Sequence, residues 1–165
     1  MSISRLWIIA ILLTLLGGYA QAVQAADGAI KVKSVAEVEV TVVGKDGKKQ
    51  IKRVSPDNAI PGTEVIFTNT FENISDKTAS DIVINNPIPS GTEYKSGSTF
   101  GKETDIEFSA DGGKKFAHAE ALKRRDAQGQ ERTALASEYT NIRWTYKGQL
   151  SAGKSGEVGF RAVIK

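Results

Sequence analysis

The chain predicts an all-β protein, an antiparallel β-sandwich of about seven to nine short strands. Apolar residues recur at every second position, which is strand spacing, and Gly, Pro and Asn turns punctuate the runs. Beyond residue 25 no segment sustains a helical period.

The first 25 residues are of a different kind. Arg5, the apolar run Leu6 to Leu16 broken only by Thr14, and the small-residue site Val23-Gln24-Ala25 have the layout of an export signal. Spanning a bilayer takes roughly 20 apolar residues, so this run is short for a permanent anchor. Residues 1–25 are therefore expected to be a cleaved signal peptide that meets the membrane only during export. Residues 26–165 should form one soluble β-sandwich domain, periplasmic or secreted. The remaining stretch of about 140 residues is enough to bury roughly two-thirds of its unfolded surface. The formal net charge of +3 falls to +2 when Arg5 leaves with the leader. So small an excess does not describe a polyanion-binding surface. The chain has no cysteine, so stability must come from the core, and thiol nucleophiles and thiolate metal sites are excluded.

The cleanest alternation runs from Ile30 to Val42. Ile30, Val32, Ala36, Val38, Val40 and Val42 share one face, while Lys31, Lys33, Glu37, Glu39 and Thr41 share the other. Ser34 interrupts the apolar face and is expected to mark a bend or a switch between two sheets. An Asp46-Gly47 turn and a returning strand from Ile51 to Val54 complete a hairpin. Pro56 to Gly62 is loop, because neither proline can donate to a ladder. Glu64 to Asn73 is a strand with Val65, Phe67 and Phe71 on one face, and Ile82-Val83-Ile84 is the next. Asn86-Pro87 and Pro89-Ser90-Gly91 close it, and Tyr94 starts a short extended piece. Ile106 and Phe108 alternate with Asp105 and Glu107 before Asp111-Gly112-Gly113 turns the chain. Glu120 to Ser137 is charged and turn-like, with room for a helical turn near Ala119 to Arg125. Tyr139 to Tyr146 is a strand with Ile142, Trp144 and Tyr146 inward, and Val158, Phe160, Ala162 and Ile164 form the last. Two facing sheets would close around Phe67, Trp144 and Phe160.

Three of these stretches resemble a known family. Ile60-Pro-Gly-Thr-Glu-Val-Ile-Phe-Thr-Asn-Thr-Phe-Glu-Asn73 is similar to the opening of the conserved-repeat surface domain, domain-of-unknown-function family eleven. Asp81-Ile-Val-Ile-Asn-Asn-Pro-Ile-Pro-Ser-Gly-Thr92 resembles its next strand and Pro-x-Gly-Thr turn. Asn141 to Leu150 and Ser151 to Phe160 look like its closing hairpin. The likeness covers about residues 54–165. It implies an immunoglobulin-like sandwich of bacterial and archaeal envelope or secreted proteins, with no catalytic residues to carry over. The family is often repeated in long surface chains. Here a single copy without a wall or membrane anchor is expected, which favours a small periplasmic or secreted protein over an adhesive stalk.

Five constellations invite a chemical reading. Ser109-Ala-Asp-Gly-Gly-Lys-Lys-Phe116 has the spacing of an Asp-box, in which Asp111 caps backbone N–H groups, Gly113 takes positive φ and Phe116 packs beneath. That box is a structural turn even in the carbohydrate-associated proteins where it is common. Asp105 and Glu107 share a strand face, as paired acids would, but Ile106 and Phe108 claim the buried side and leave them solvated. His118 is the only histidine, with no nucleophile elbow beside it, and is read as a strand-end residue. Glu72, Asn73, Asp76 and Asp81 offer oxygen donors for Ca²⁺ without the ligand order of a calcium loop, and Lys77 sits among them. Lys123-Arg124-Arg125, with Asp126 next, is too short a basic run for nucleic acid and reads as a solvated loop able to touch anionic envelope material.

No catalytic, cofactor-binding or metal-binding residue is therefore assigned. The expectation is a non-enzymatic envelope protein acting in structural or protein–protein contact. Its partner would be another envelope protein or a surface glycan, and not nucleic acid. The long segment from Ile30 would supply an extra edge strand or pair with another molecule. The rival reading is a carbohydrate-binding module in which Tyr94 and Tyr139 are exposed rings for sugar stacking.

Overall fold

The alternation that starts at Ile30 becomes a 14-residue strand, β1 (Ile30–Val43), returned by β2 (Lys49–Val54) through the Asp46-Gly47 turn. The computed structural model describes residues 30–57 and 59–165; the leader expected over residues 1–25 lies outside them. The chain continues through β3 (Glu64–Asn73), β4 (Val83–Pro87), β5 (Thr92–Tyr94), β6 (Phe100–Gly101) and β7 (Thr104–Ser109). After a short ribbon, β8 (Lys123–Arg125) and β9 (Glu131–Thr133), a single 3₁₀ turn at Ala136–Glu138 leads into β10 (Asn141–Tyr146) and β11 (Ser155–Ile164).

All pairings are antiparallel. One sheet runs β2-β1-β3-β11-β5, with β6 also on β11, and the other runs β4-β10-β7. The two pack face to face as a β-sandwich, as the period-two pattern predicts. Eleven segments stand among the described residues where seven to nine were expected. The additions are β6, two residues long, and the three-residue strands β8 and β9, too short to display a period.

The core forms where the predicted faces meet. Trp144 on β10 and Phe160 on β11 are both fully buried, with ring centroids 6.3 Å apart across the two sheets. Phe67 stacks on Phe160 at 5.0 Å, and Ile142, Val158, Ala162, Phe71, Ile82 and Ile84 fill the space around them. Pro87 lies on β4, an edge strand, where a missing N–H costs no ladder bond.

Three expectations need correction. Ser34 marks no change of sheet: it sits inside the half of β1 paired with β3, and its hydroxyl donates to Asn69 Oδ1, which explains a polar residue on an apolar face. The change of partner comes between Glu37 and Val38, where β1 runs past its pairing with β3 and takes up β2. Tyr94 and Tyr139 are not exposed: Tyr94 is buried, Tyr139 packs on the core, and the rings stack on each other at 5.7 Å. The helical turn foreseen near Ala119 to Arg125 is confined to the single turn closed by the Leu122 N–H on the His118 carbonyl, because Lys123 enters β8.

Trp144 is fully buried and meets Phe160 across the sheets, yet its Nε1 has no hydrogen-bond partner. Trp144→Ala should cost about 3–5 kcal/mol in urea unfolding. Trp144→Phe, which removes the unpaired donor and fills more of the space, should cost clearly less. Equal losses for both would contradict the packing account.

Candidate functional site

The part of the fold that the core does not use is the outer end of β1 with β2. The last β1–β3 pair is Glu37 with Ile66, so Val38 to Val43 pair only with β2, from Val38 opposite Val54 to Val43 opposite Lys49. None of Val38, Val40, Val42 and Val54 belongs to the main core cluster. Every residue of β2 is exposed, and Val43 and Ile51 stand 68% and 70% open on one face of the ribbon. Because β2 covers only the far half of β1, the outer edge of Ile30–Glu37 pairs with no further strand among the described residues.

A chain of alternating charge fixes the root of this arm. Arg161 on β11 donates through Nη1 and Nη2 to both oxygens of Glu39 at 3.2 Å, and through Nη1 to Glu64 at 2.7 Å. Arg53 approaches Glu39 at 3.5 Å and Lys95 binds Glu64 at 2.5 Å. The guanidinium of Arg161 holds the Glu39 carboxyl below its ordinary range. Lys95 and then Arg161 do the same for Glu64. The two carboxylates in turn raise Arg161.

The residues singled out in the sequence are placed as follows. Asp111 Oδ1 accepts from the Ser109 hydroxyl and from the N–H groups of Lys114 and Lys115, at 2.8 to 3.1 Å, and these bonds, Lys115 foremost, lower its carboxyl. Gly113 has φ +82°, as the turn requires. Phe116, however, lies outside the main core cluster, with the Arg143 guanidinium 4.2 Å over its ring. Fully buried Ser109, whose Oγ accepts the Gly113 N–H, is a second pin of the turn that the sequence reading passed over.

Asp105 and Glu107 face outward as expected, and both are paired. Glu107 accepts two bonds from Arg143, and Asp105 lies 3.7 Å from His118 Nε2 and 3.5 Å from Lys147. His118 is exposed, with Nδ1 3.1 Å from the Ile106 carbonyl. Asn73 is wholly buried and staples its loop, donating to the carbonyls of Lys77 and Leu150 and accepting from Ser75. Those bonds occupy the side chain that a calcium site would have needed. Among the described residues no three His, Asp or Glu side chains are placed to hold a metal ion. No helix among them is long and apolar enough to cross a membrane.

Lys123 to Arg125 is not a loop but strand β8, and Arg124 and Arg132 converge on Glu138. Arg132 grips both Glu138 oxygens at 2.7 Å, while the Leu135 N–H donates to the same carboxylate. Together they pull Glu138 down to about 2.

No protein-family model matches the chain, and no characterised protein matches it in sequence.

The root of the arm should respond to pH with a definite sign. Glu39 and Glu64 sit below their ordinary 4.5, so their contribution is complete above that value and is lost as pH falls through the depressed folded values. Amide protection in Val38 to Val43, corrected for intrinsic exchange, should hold from neutral pH to about 5 and fall below it. In Arg161→Gln it should already be reduced at pH 7, with the core amides of β10 unchanged. Protection in the wild type that is indifferent to acid would remove this role from the network.

Proposed function

We propose that this chain is an exported, non-enzymatic protein of the cell envelope, a single immunoglobulin-like unit related to the conserved-repeat surface domain, acting in protein–protein contact. The leader-like residues 1–25 and the three family-like stretches support export and kinship. The observation that carries the contact role is the arm. It extends the sheet past the core, presents Val43 and Ile51 to solvent, and adjoins the edge of Ile30–Glu37, which pairs with no further strand among the described residues.

An open edge offers its free N–H and C=O groups to an added strand, while the side chains select the partner. The edge carries Lys31 and Lys33 on its outer face and Ile30 and Val32 on the face toward the core. The complementary partner is an extended segment of another protein with acidic and apolar residues in alternation. Carboxylates would sit opposite the lysines, and apolar side chains would continue the inner layer.

A photo-crosslinking residue placed at Val43 or Ile51 in living cells should capture the same protein at both positions. The same residue at Leu135, exposed beside the 3₁₀ turn at the far end of the sheet order, should not. The Ile51→Lys variant should reduce capture from Val43 at least several-fold without changing the melting temperature. Failure to capture any protein from the arm, or equal capture from Leu135, would refute the proposal.

A further inference from the structure

The structure joins two stretches that looked unrelated along the chain. The Asp111 turn and the basic run Lys123-Arg124-Arg125 together line one open cleft of about 590 Å³, with Phe116 and Leu122 also in its lining. That volume lies within the range of roughly 300–1,000 Å³ usual for small-ligand sites. Four cations line the cleft (Lys115, Lys123, Arg124 and Arg125) against two carboxylates, Asp111 and Glu131. The overall charge near neutrality therefore hides a local cationic concentration.

Not all four cations are spoken for. Lys123 donates to Thr133 at 3.1 Å, and Arg124 lies 3.6 Å from Glu138. Lys115 and Arg125 make no ion pair and no side-chain hydrogen bond among the described residues. Glu131 stands opposite Arg125 in the β8–β9 register without closing a pair with it. The walls are held independently of any ligand. Asp111 ties down the backbone of Lys114 and Lys115, and the Ala134 N–H bonds the Leu122 carbonyl at 2.8 Å, with both side chains buried. The Arg132–Glu138 fork holds the return of the ribbon.

We infer that this cleft binds an acidic saccharide, a sugar chain bearing carboxylates of the uronate kind. Lys115 and Arg125 would both reach for the sugar carboxylate. Asp111 Oδ2 and the Glu131 carboxylate would accept hydrogen bonds from hydroxyl groups, of which a sugar chain offers many and inorganic phosphate at neutral pH few. A lipid surface is the poorer fit. None of the large exposed apolar side chains lines the cleft, its rim carries two acids, and it is concave where a headgroup layer is flat. The site shares no residue with the β1–β2 arm and stands or falls apart from the contact role.

The test is calorimetric titration of the purified chain with a galacturonate tetrasaccharide, its methyl ester, inorganic phosphate, and phosphatidylglycerol vesicles, at low and at about 150 mM salt. The acid form should bind, more weakly at the higher salt, and the methyl ester at least about tenfold more weakly than the acid. The Lys115→Gln, Arg125→Gln double variant should lose about tenfold or more at unchanged circular dichroism and melting temperature. A charge-matched Lys45→Gln, Lys49→Gln control on the arm should bind as the wild type does. Absence of binding, equal affinity for the ester, full affinity in the double variant, or uptake of phosphate or vesicles in place of the saccharide would each overturn the assignment.

Discussion

The contact between Trp144 and Phe160 is the constraint on which the rest of the molecule is hung. Each ring sits on a central strand of its sheet, β10 between β4 and β7, β11 between β3 and β5. Bringing the rings together aligns both sheets at once. Packing is tight on the outer face of the larger sheet as well. On the outer side of β11 the Phe100 ring lies directly over Gly159, and any Cβ at that position would run into the ring and into the Phe67 carbonyl. The outlying features inherit their positions from this contact. The arm is reached from β11 through β3 and β1, and the cationic cleft from β10 through β7 and the turn that follows it.

The fold was legible where one periodic signal ran long enough to be decisive. Glu64 to Asn73 is the predicted strand to the residue, with Val65 and Phe71 buried and Phe67 packed on the core. Trp144 and Phe160 meet as their alternating neighbours imply. Legibility failed where the signal was tertiary. Tyr94 and Tyr139 lie 45 positions apart, and nothing local in either says that they stack on each other against Phe108. Likewise Lys123 to Arg125 is polar throughout, as a loop would be. It becomes a strand because Leu122 and Ala134, one on each side of the ribbon, are anchored in the core and bring the two limbs into register. The cleft was invisible for the same reason, since its two walls lie on separate stretches that only the folded ribbon brings together.

Four acidic residues serve as ties within the fold. Glu39 and Glu64 bind the arm to β11, Asp111 closes a turn, and Glu138 gathers two arginines and a backbone N–H. Each of the four is shifted in the direction that keeps it ionised. A general acid or base working near neutrality needs the opposite shift, an elevated carboxyl in a site that disfavours its charge. These four carboxylates are therefore set as structural ties.

The arm brings two design pressures into conflict. An unpaired strand edge invites indiscriminate pairing, and lysines along it are one way proteins discourage that. Lys31, Lys33, Lys49 and Lys52 supply such a guard, and the like charge they place on both strands would repel a second copy laid edge to edge. Yet Val43 and Ile51 leave apolar area uncovered at the tip, at the cost of keeping it in water. A partner rich in acids meets both conditions, neutralising the guard while drying the apolar tip. Self-association meets only the second, which is why the proposed contact is with a different chain.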